Sequence, residues 1–192
     1  SDTSCSNGKG ASAQIACPAG KKCENGQSSD CPKGKFCVEG QAPQDCKAGS
    51  YSSVVGLSLG SQCLECVAGT FSDALGATAE DTCKACPAGE FQDQAGQAVC
   101  KQCAAGSYSS VTGLSSGSQC VKCAAGTFSD VLGATAEETC KDCAAGSFST
   151  ISGAPNSDAC LACAAGTFSS AVAQTTCIDC AAGTFQANTG QE

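Results

Sequence analysis

Residues 123–149 read CAAGTFSDVLGATAEETCKDCAAGSFS, and this stretch begins a second copy of itself before the first has ended. The phrase that opens at Cys123, a cysteine followed by Ala-Ala-Gly-Thr-Phe-Ser, opens again at Cys143 with serine in place of threonine. The first copy also ends with a cysteine, Cys140, which stands three positions before Cys143. The stretch therefore predicts a tandem repeat in which each copy has an opening and a closing cysteine.

The repeat covers most of the chain when the sequence is aligned on Cys-x-x-Gly. Eleven opening cysteines have a glycine three residues later: Cys5, Cys17, Cys31, Cys46, Cys66, Cys86, Cys103, Cys123, Cys143, Cys163 and Cys180. From Cys46 onward the repeats are 20, 20, 17, 20, 20, 20 and 17 residues long, whereas the earlier spacing is irregular. We therefore predict two regions: N-terminal cysteine-rich units of atypical spacing, 1–45, and tandem repeats, 46–192, of which the last is incomplete.

Aromatic residues and glycines occupy fixed positions of the repeat. All nine aromatics stand five residues after an opening cysteine: Phe36, Tyr51, Phe71, Phe91, Tyr108, Phe128, Phe148, Phe168 and Phe185. We expect each ring to cover the disulfide of its own repeat or of a neighbouring one, in a miniature core. The glycine three residues after the cysteine suits a turn with positive φ or a close backbone approach.

The composition shows why disulfides must replace a large apolar core. Cysteine accounts for 20 of 192 residues, Trp and Met are absent, and aromatics make up only 5%, whereas roughly 8–10% cysteine already marks a disulfide scaffold. Short alternating runs such as Thr-Phe-Ser, separated by turn residues, predict brief β-hairpins and loops with little or no helix. The predicted fold is a small disulfide-rich one, with tandem cysteine-rich repeats stacked into an elongated rod.

The disulfide pairing has two solutions at the level of sequence. From Cys63 onward the cysteines form C-x-x-C pairs, in which the closing cysteine of one repeat meets the opening cysteine of the next. Both a disulfide within each repeat and an interlocked scheme between consecutive pairs fit this spacing. Pairing within repeats would join Cys46 to Cys63, Cys66 to Cys83, Cys86 to Cys100, Cys103 to Cys120, Cys123 to Cys140, Cys143 to Cys160 and Cys163 to Cys177.

Pairing within repeats leaves cysteines over at both ends. Five remain near the N-terminus, an odd number, and Cys180 has no closing partner. In register with the repeat that opens at Cys86, that partner would stand two residues beyond Glu192. We expect either that the polypeptide continues or that Cys180 bonds an N-terminal cysteine, such as Cys5, of another subunit.

Zinc binding, redox activity and calcium binding each fit the sequence less well than structural disulfides do. C-x-x-C pairs at this spacing match a zinc ribbon, but seven in a row in a secreted chain without histidine would all have to stay reduced. A redox-active C-x-x-C needs a helix N-terminus or a nearby cation to lower the pKa of its thiol. A calcium site needs a recognised loop spacing, which the recurring acidic residues lack: Asp73, Glu80, Asp81, Asp130, Glu137 and Glu138. We therefore predict no metal and no cofactor.

Composition also argues against several function classes. Without histidine, arginine or a nucleophile or phosphate-binding motif, the chain is not expected to be an enzyme. A net charge of −8 without a basic cluster disfavours nucleic acid as a partner, and the chain has no apolar run long enough for a direct membrane span. The cysteine content predicts a secreted protein, extracellular or at the cell surface, whose Ser/Thr-rich surface could carry O-linked glycans.

The repeat phrases resemble a known module. Cys17-Pro18-Ala19-Gly20, Cys31-Pro32-Lys33-Gly34, Cys86-Pro87-Ala88-Gly89 and the Ala-Gly-Ser/Thr-Phe/Tyr-Ser phrases resemble ephrin-receptor-like cysteine-rich repeats, which are similar in style to TNF-receptor and EGF-like modules. The resemblance extends over about residues 17–192, although alanine replaces the usual proline after Cys103 and every later opening cysteine. It implies an animal receptor or a protist or algal cell-surface protein, similar to ciliate surface antigens or to mastigoneme-type filament proteins.

Two functions remain, and the surface decides between them. Recognition sites carry aromatic and arginine anchors at non-repeated positions, whereas here every aromatic belongs to the repeat and we expect the exposed positions to be Ser, Thr, Ala, Gly and Gln. We therefore predict a structural protein, a disulfide-stapled rod that self-associates into a cell-surface coat or an extracellular filament. The alternative is the ligand-binding ectodomain of a cell-surface receptor.

Overall fold

The fold consists of short β-hairpins joined by turns. The computed structural model describes residues 16–25, 27–185 and 187–190. Within them, eighteen strands form nine antiparallel two-stranded sheets, five 3₁₀ turns interrupt the loops, and there is no α-helix. The prediction of a disulfide-rich fold of brief hairpins with little or no helix is confirmed.

Each hairpin pairs the aromatic phrase of a repeat with the residues that precede the next opening cysteine. The first hairpin is the exception, because its two four-residue strands, Lys21–Glu24 and Gln27–Asp30, pair with each other. Each odd-numbered strand pairs with the strand that follows it. The strands are β1 Lys21–Glu24, β2 Gln27–Asp30, β3 Lys35–Phe36, β4 Gln44–Asp45, β5 Ser50–Tyr51, β6 Leu64–Glu65, β7 Thr70–Phe71, β8 Lys84–Ala85, β9 Glu90–Phe91, β10 Lys101–Gln102, β11 Ser107–Tyr108, β12 Val121–Lys122, β13 Thr127–Phe128, β14 Lys141–Asp142, β15 Ser147–Phe148, β16 Leu161–Ala162, β17 Thr167–Phe168 and β18 Ile178–Asp179.

The 3₁₀ turns explain the two repeat lengths. Each occupies the three residues before the closing cysteine of a 20-residue repeat: Gly60–Gln62, Glu80–Thr82, Gly117–Gln119, Glu137–Thr139 and Ser157–Ala159. The two 17-residue repeats, which open at Cys86 and Cys163, have no such turn. In two long repeats a glutamine side chain caps the turn: Oε1 of Gln119 accepts hydrogen bonds from the backbone N–H groups of Ser115, at 2.8 Å, and Ser116, at 2.9 Å. The three-residue difference is therefore one helical turn, which the short repeats omit.

The chain divides into two compact units, and each contains two segments that are separate in the sequence. The first unit contains the described residues up to Ala85 together with Gln92–Cys100, and the second contains Cys86–Phe91 together with the described residues from Lys101 onward. The boundary that we predict between 45 and 46 does not coincide with this division. Both units consist of the same repeat, and each is described by itself below.

The buried residues are small. Among the described residues, Leu57 and Leu114 are the only buried aliphatic side chains larger than alanine, and most of the other buried apolar residues are cysteines. The serine six residues after the opening cysteine is also buried, as Ser109 and Ser129 illustrate. The expectation that the exposed positions carry only small or polar residues is wrong, because sixteen large hydrophobic side chains are exposed in the described part of the chain.

Candidate functional site

Disulfides close the repeats one by one. The opening cysteine bonds to the closing cysteine of the same repeat, with Cα atoms 5.5–6.0 Å apart, in six repeats: Cys46–Cys63, Cys66–Cys83, Cys103–Cys120, Cys123–Cys140, Cys143–Cys160 and Cys163–Cys177. Cys86 and Cys100 are also disulfide-bonded. Of the two schemes that the spacing leaves open, these six repeats have the one within the repeat.

The N-terminal cysteines follow a different pattern. Cys17 bonds to Cys23 and Cys31 bonds to Cys37, each across six positions. We predict no partners for these four cysteines from the sequence, although their two equal C-x₅-C spacings are a readable signal. Among the described cysteines, Cys180 alone has no disulfide, and Cys5 lies outside the described residues. A bridge between these two remains a prediction.

The aromatic ring covers the disulfide of the following repeat. Phe91 packs against the cluster formed by Leu114 and the Cys103–Cys120 disulfide, and Phe36 packs in the same way on Leu57 and the Cys46–Cys63 disulfide. The backbone of Phe91 also forms a parallel bridge with Leu114. For these two rings the expected miniature core is confirmed, with the neighbouring repeat as its location.

Replacing Leu114 with alanine is expected to lower the free energy of unfolding by about 2–3 kcal/mol, because it removes most of a buried aliphatic side chain. Leu161, which is exposed, provides the control, and its alanine variant is expected to change stability by less than about 0.5 kcal/mol. Guanidinium unfolding of the disulfide-bonded chains measures both. Equal losses in the two variants would contradict the role assigned to the Leu114 cluster.

Consecutive repeats are connected by three backbone hydrogen bonds, which we call the joint. Between the repeats that open at Cys103 and Cys123, Gly106 N–H donates to Ser129 O at 2.8 Å, Ser109 N–H to Ala134 O at 2.9 Å, and Gly133 N–H to Cys103 O at 2.9 Å. The same three bonds, at equivalent positions, connect the Cys123 repeat to the Cys143 repeat and the latter to the Cys163 repeat. They also connect the Cys46 and Cys66 repeats in the first unit. The joint is therefore built from the backbone and depends on the repeat phrase.

The glycine three residues after the opening cysteine also lies close to a backbone carbonyl two repeats ahead. A Cβ atom added to Gly106 would lie 2.2 Å from the carbonyl oxygen of Gly153, and one added to Gly126 would lie 2.2 Å from that of Ala173. Both glycines also have a positive φ, 80° and 85°. The glycine three residues after the opening cysteine is thus required for its conformation and for space, as the sequence indicated.

The buried serine holds the turn that leads into the joint. The hydroxyl of Ser109 donates to Val111 O at 3.2 Å, and the backbone N–H of Val111 donates to the Ser109 hydroxyl at 3.1 Å. Ser52 makes the same two bonds with Val54 in the first unit. A small hydroxyl is therefore buried at this position because it satisfies the turn backbone.

Charged groups lie on the surface and pair locally. Lys141 donates to Asp130 at 2.9 Å, and its ammonium lies 6.0 Å from the centroid of the Phe128 ring. The hydrogen bond from Lys141, a backbone hydrogen bond of Asp130 itself and the lysine charge lower the pKa of the Asp130 carboxyl below its ordinary value. Both side chains are exposed, so this pair contributes little to stability.

Two surface grooves lie beside aromatic rings at equivalent positions of the repeat. A groove of about 630 Å³ in the second unit is lined by Phe91, Gln102, Lys122 and the backbone of neighbouring glycines. The equivalent groove of the first unit lies beside Phe36 and contains Asp45, Lys47 and Glu65. The two grooves share the aromatic ring but differ in charge, so they do not define a common ligand.

Among the residues that the structure describes, no cluster of three or more His, Cys, Asp or Glu side chains could hold a metal ion. The acidic residues Asp73 and Glu80 of the calcium alternative belong to no such cluster. In the same part of the chain, no helix has the length and hydrophobicity needed to cross a membrane.

Comparison with known proteins identifies one module. A family model described as tyrosine-protein kinase ephrin type A/B receptor-like matches residues 78–120, which span the whole Cys86 repeat and parts of the repeats on either side. A search of curated proteins found no match. The match and the eighteen disulfide-bonded cysteines together point to an extracellular domain.

Proposed function

We propose that this chain is a structural extracellular protein, a disulfide-stapled repeat array that acts as a spacer in a cell-surface coat or an extracellular filament. The observation that carries the proposal is the joint, which recurs with the same three hydrogen bonds at successive repeats of the second unit. A contact that every repeat makes with the next lets an array lengthen by adding repeats, without a common core.

The placement of two aromatic rings supports a structural role. Aromatic rings are common recognition anchors, but Phe36 and Phe91 each cover the disulfide of the following repeat. Six repeats are each closed by a disulfide of their own. We expect this closure to limit local unfolding, a property that suits a surface coat.

A second candidate is a ligand-binding receptor ectodomain. It is favoured by the family match at residues 78–120, whose description refers to ephrin receptors. A receptor site would need a surface that differs from repeat to repeat, and the charged groove beside Phe36, with Asp45 and Glu65 on its rim, is the place to look for one.

Small-angle X-ray scattering of the disulfide-bonded monomer tests the structural proposal. We expect an elongated particle with a radius of gyration well above the roughly 16 Å of a compact globule of 192 residues. The pair-distance distribution should have one short cross-section maximum and a long tail, which distinguishes a rod from an unfolded chain. A compact particle near 16 Å would contradict the spacer function.

A further inference from the structure

The second unit carries aliphatic side chains in turns where polar residues are usual. The turn eight and nine residues after the opening cysteine contains Val111, Leu132, Ile151 or Val172 in four successive repeats, and each of these side chains is more than half exposed. Exposed turns ordinarily favour Gly, Asn, Asp, Ser and Pro. Branched aliphatic side chains at these two adjacent turn positions of four successive repeats therefore call for an explanation outside the turn itself.

The turns do not need these side chains for their own structure. The residue that follows each aliphatic turn is fixed by the joint, as Gly153 N–H donates to Cys123 O at 2.8 Å and Ala173 N–H to Cys143 O at 2.9 Å. At the start of the turn, the backbone N–H of Ile151 donates to the hydroxyl of buried Ser149 at 3.3 Å. Backbone and serine thus hold the turn, and more than half of each aliphatic side chain is left exposed.

We propose that the aliphatic turns of the second unit are the surface through which two copies of this chain associate side by side. This inference rests on the proposed structural function and specifies its partner. A stable interface buries roughly 800 Å² on each partner, far more than one turn can offer, so a partner must cover several turns in succession. Because the same joint connects consecutive repeats, we expect successive turns to recur at one constant spacing. A partner must therefore present its contacts at that spacing.

A second copy of this chain meets that requirement, because it carries the same turns at the same spacing. Charge does not oppose the contact. The residue before the turn is uncharged in three of the four repeats, at Ser110, Thr150 and Ser170. In the fourth it is Asp130, whose carboxylate is paired with Lys141 at 2.9 Å. The apolar turns of two acidic chains can therefore meet without close like-charge repulsion.

Sedimentation velocity of the full disulfide-bonded chain over a range of concentrations tests the proposal. The turn variant combines Val111→Ser, Leu132→Ser, Ile151→Ser and Val172→Ser. The control variant combines Val121→Ser, Leu161→Ser and Ile178→Ser, which changes equally exposed aliphatic residues on the strands. We expect the unchanged chain to associate, the control to associate within about threefold of it, and the turn variant to require at least about a hundredfold higher concentration.

Circular dichroism and a thiol titration of each variant establish that it is folded and disulfide-bonded. A monomeric unchanged chain, a turn variant that still associates, or a control that loses association to the same degree would each overturn the inference. The outcome is separable from that of the structural proposal. An elongated monomer that does not associate would leave the spacer function standing and would remove only the side-by-side contact.

Discussion

Reducing the disulfides at neutral pH is expected to unfold the chain, whereas a chelator is expected to leave it folded. The reason is the scarcity of buried apolar volume, since Leu57 and Leu114 are the only buried aliphatic side chains larger than alanine among the described residues. Closing a loop of about 15 residues contributes around 3 kcal/mol in the chain-entropy model. Losing every such contribution at once should leave the hairpins, most of them two residues long, without enough stabilisation.

Circular dichroism and amide hydrogen exchange before and after treatment measure this effect. Dithiothreitol should abolish protection of the joint amides, such as Gly133 N–H, and EDTA should leave their exchange rates unchanged. The matched control is a chain whose thiols are reduced and then reoxidised, which should recover protection. Loss of structure in EDTA alone would show that a metal stabilises the fold, and a reduced chain that kept its protection would show that packing suffices.

The repeat phrase predicted the local structure well, because each of its features acts within one repeat or on the next. The aromatic position predicted a ring over a disulfide, and Phe91 has that place on the Cys103–Cys120 bond. Turn residues around Thr-Phe-Ser predicted hairpins, and Thr127–Phe128 forms one strand of such a pair. These inferences require only the alternation of side chains along a strand and the size of an aromatic ring.

Three features of the structure were not predictable from the phrase. The buried serine, such as Ser129, is polar by composition, and only the turn geometry shows that its hydroxyl serves the backbone of Val131. Disulfide connectivity stayed open because the closing and opening cysteines of adjacent repeats are three positions apart, so spacing alone fits both schemes. The exposed aliphatic turns were missed because valine, leucine and isoleucine are expected inside a fold.

The contact between Gly106 and the carbonyl of Gly153, two repeats ahead, leads to the second large effect that we expect. Gly106→Ala should destabilise the second unit by at least about 3 kcal/mol, since its Cβ would lie 2.2 Å from a backbone oxygen that no side-chain movement can displace. Relief of this clash requires the joint to open, with loss of the bond from Gly106 N–H to Ser129 O. Guanidinium unfolding and exchange of the Gly133 and Gly153 amides report the global and local effects.

Gly166 separates the steric cost from the conformational one. It occupies the same position of its repeat and has nearly the same φ, 84° against 80° for Gly106, but an added Cβ has no atom within 4 Å. Gly166→Ala should therefore show only the cost of a left-handed alanine, about 1–2 kcal/mol, and should leave the amide of Gly153 protected. If the two variants lost the same stability, the backbone conformation alone would explain why glycine is required at this position. A larger loss for Gly106→Ala, with faster exchange at Gly153, establishes that packing between alternate repeats holds the array together.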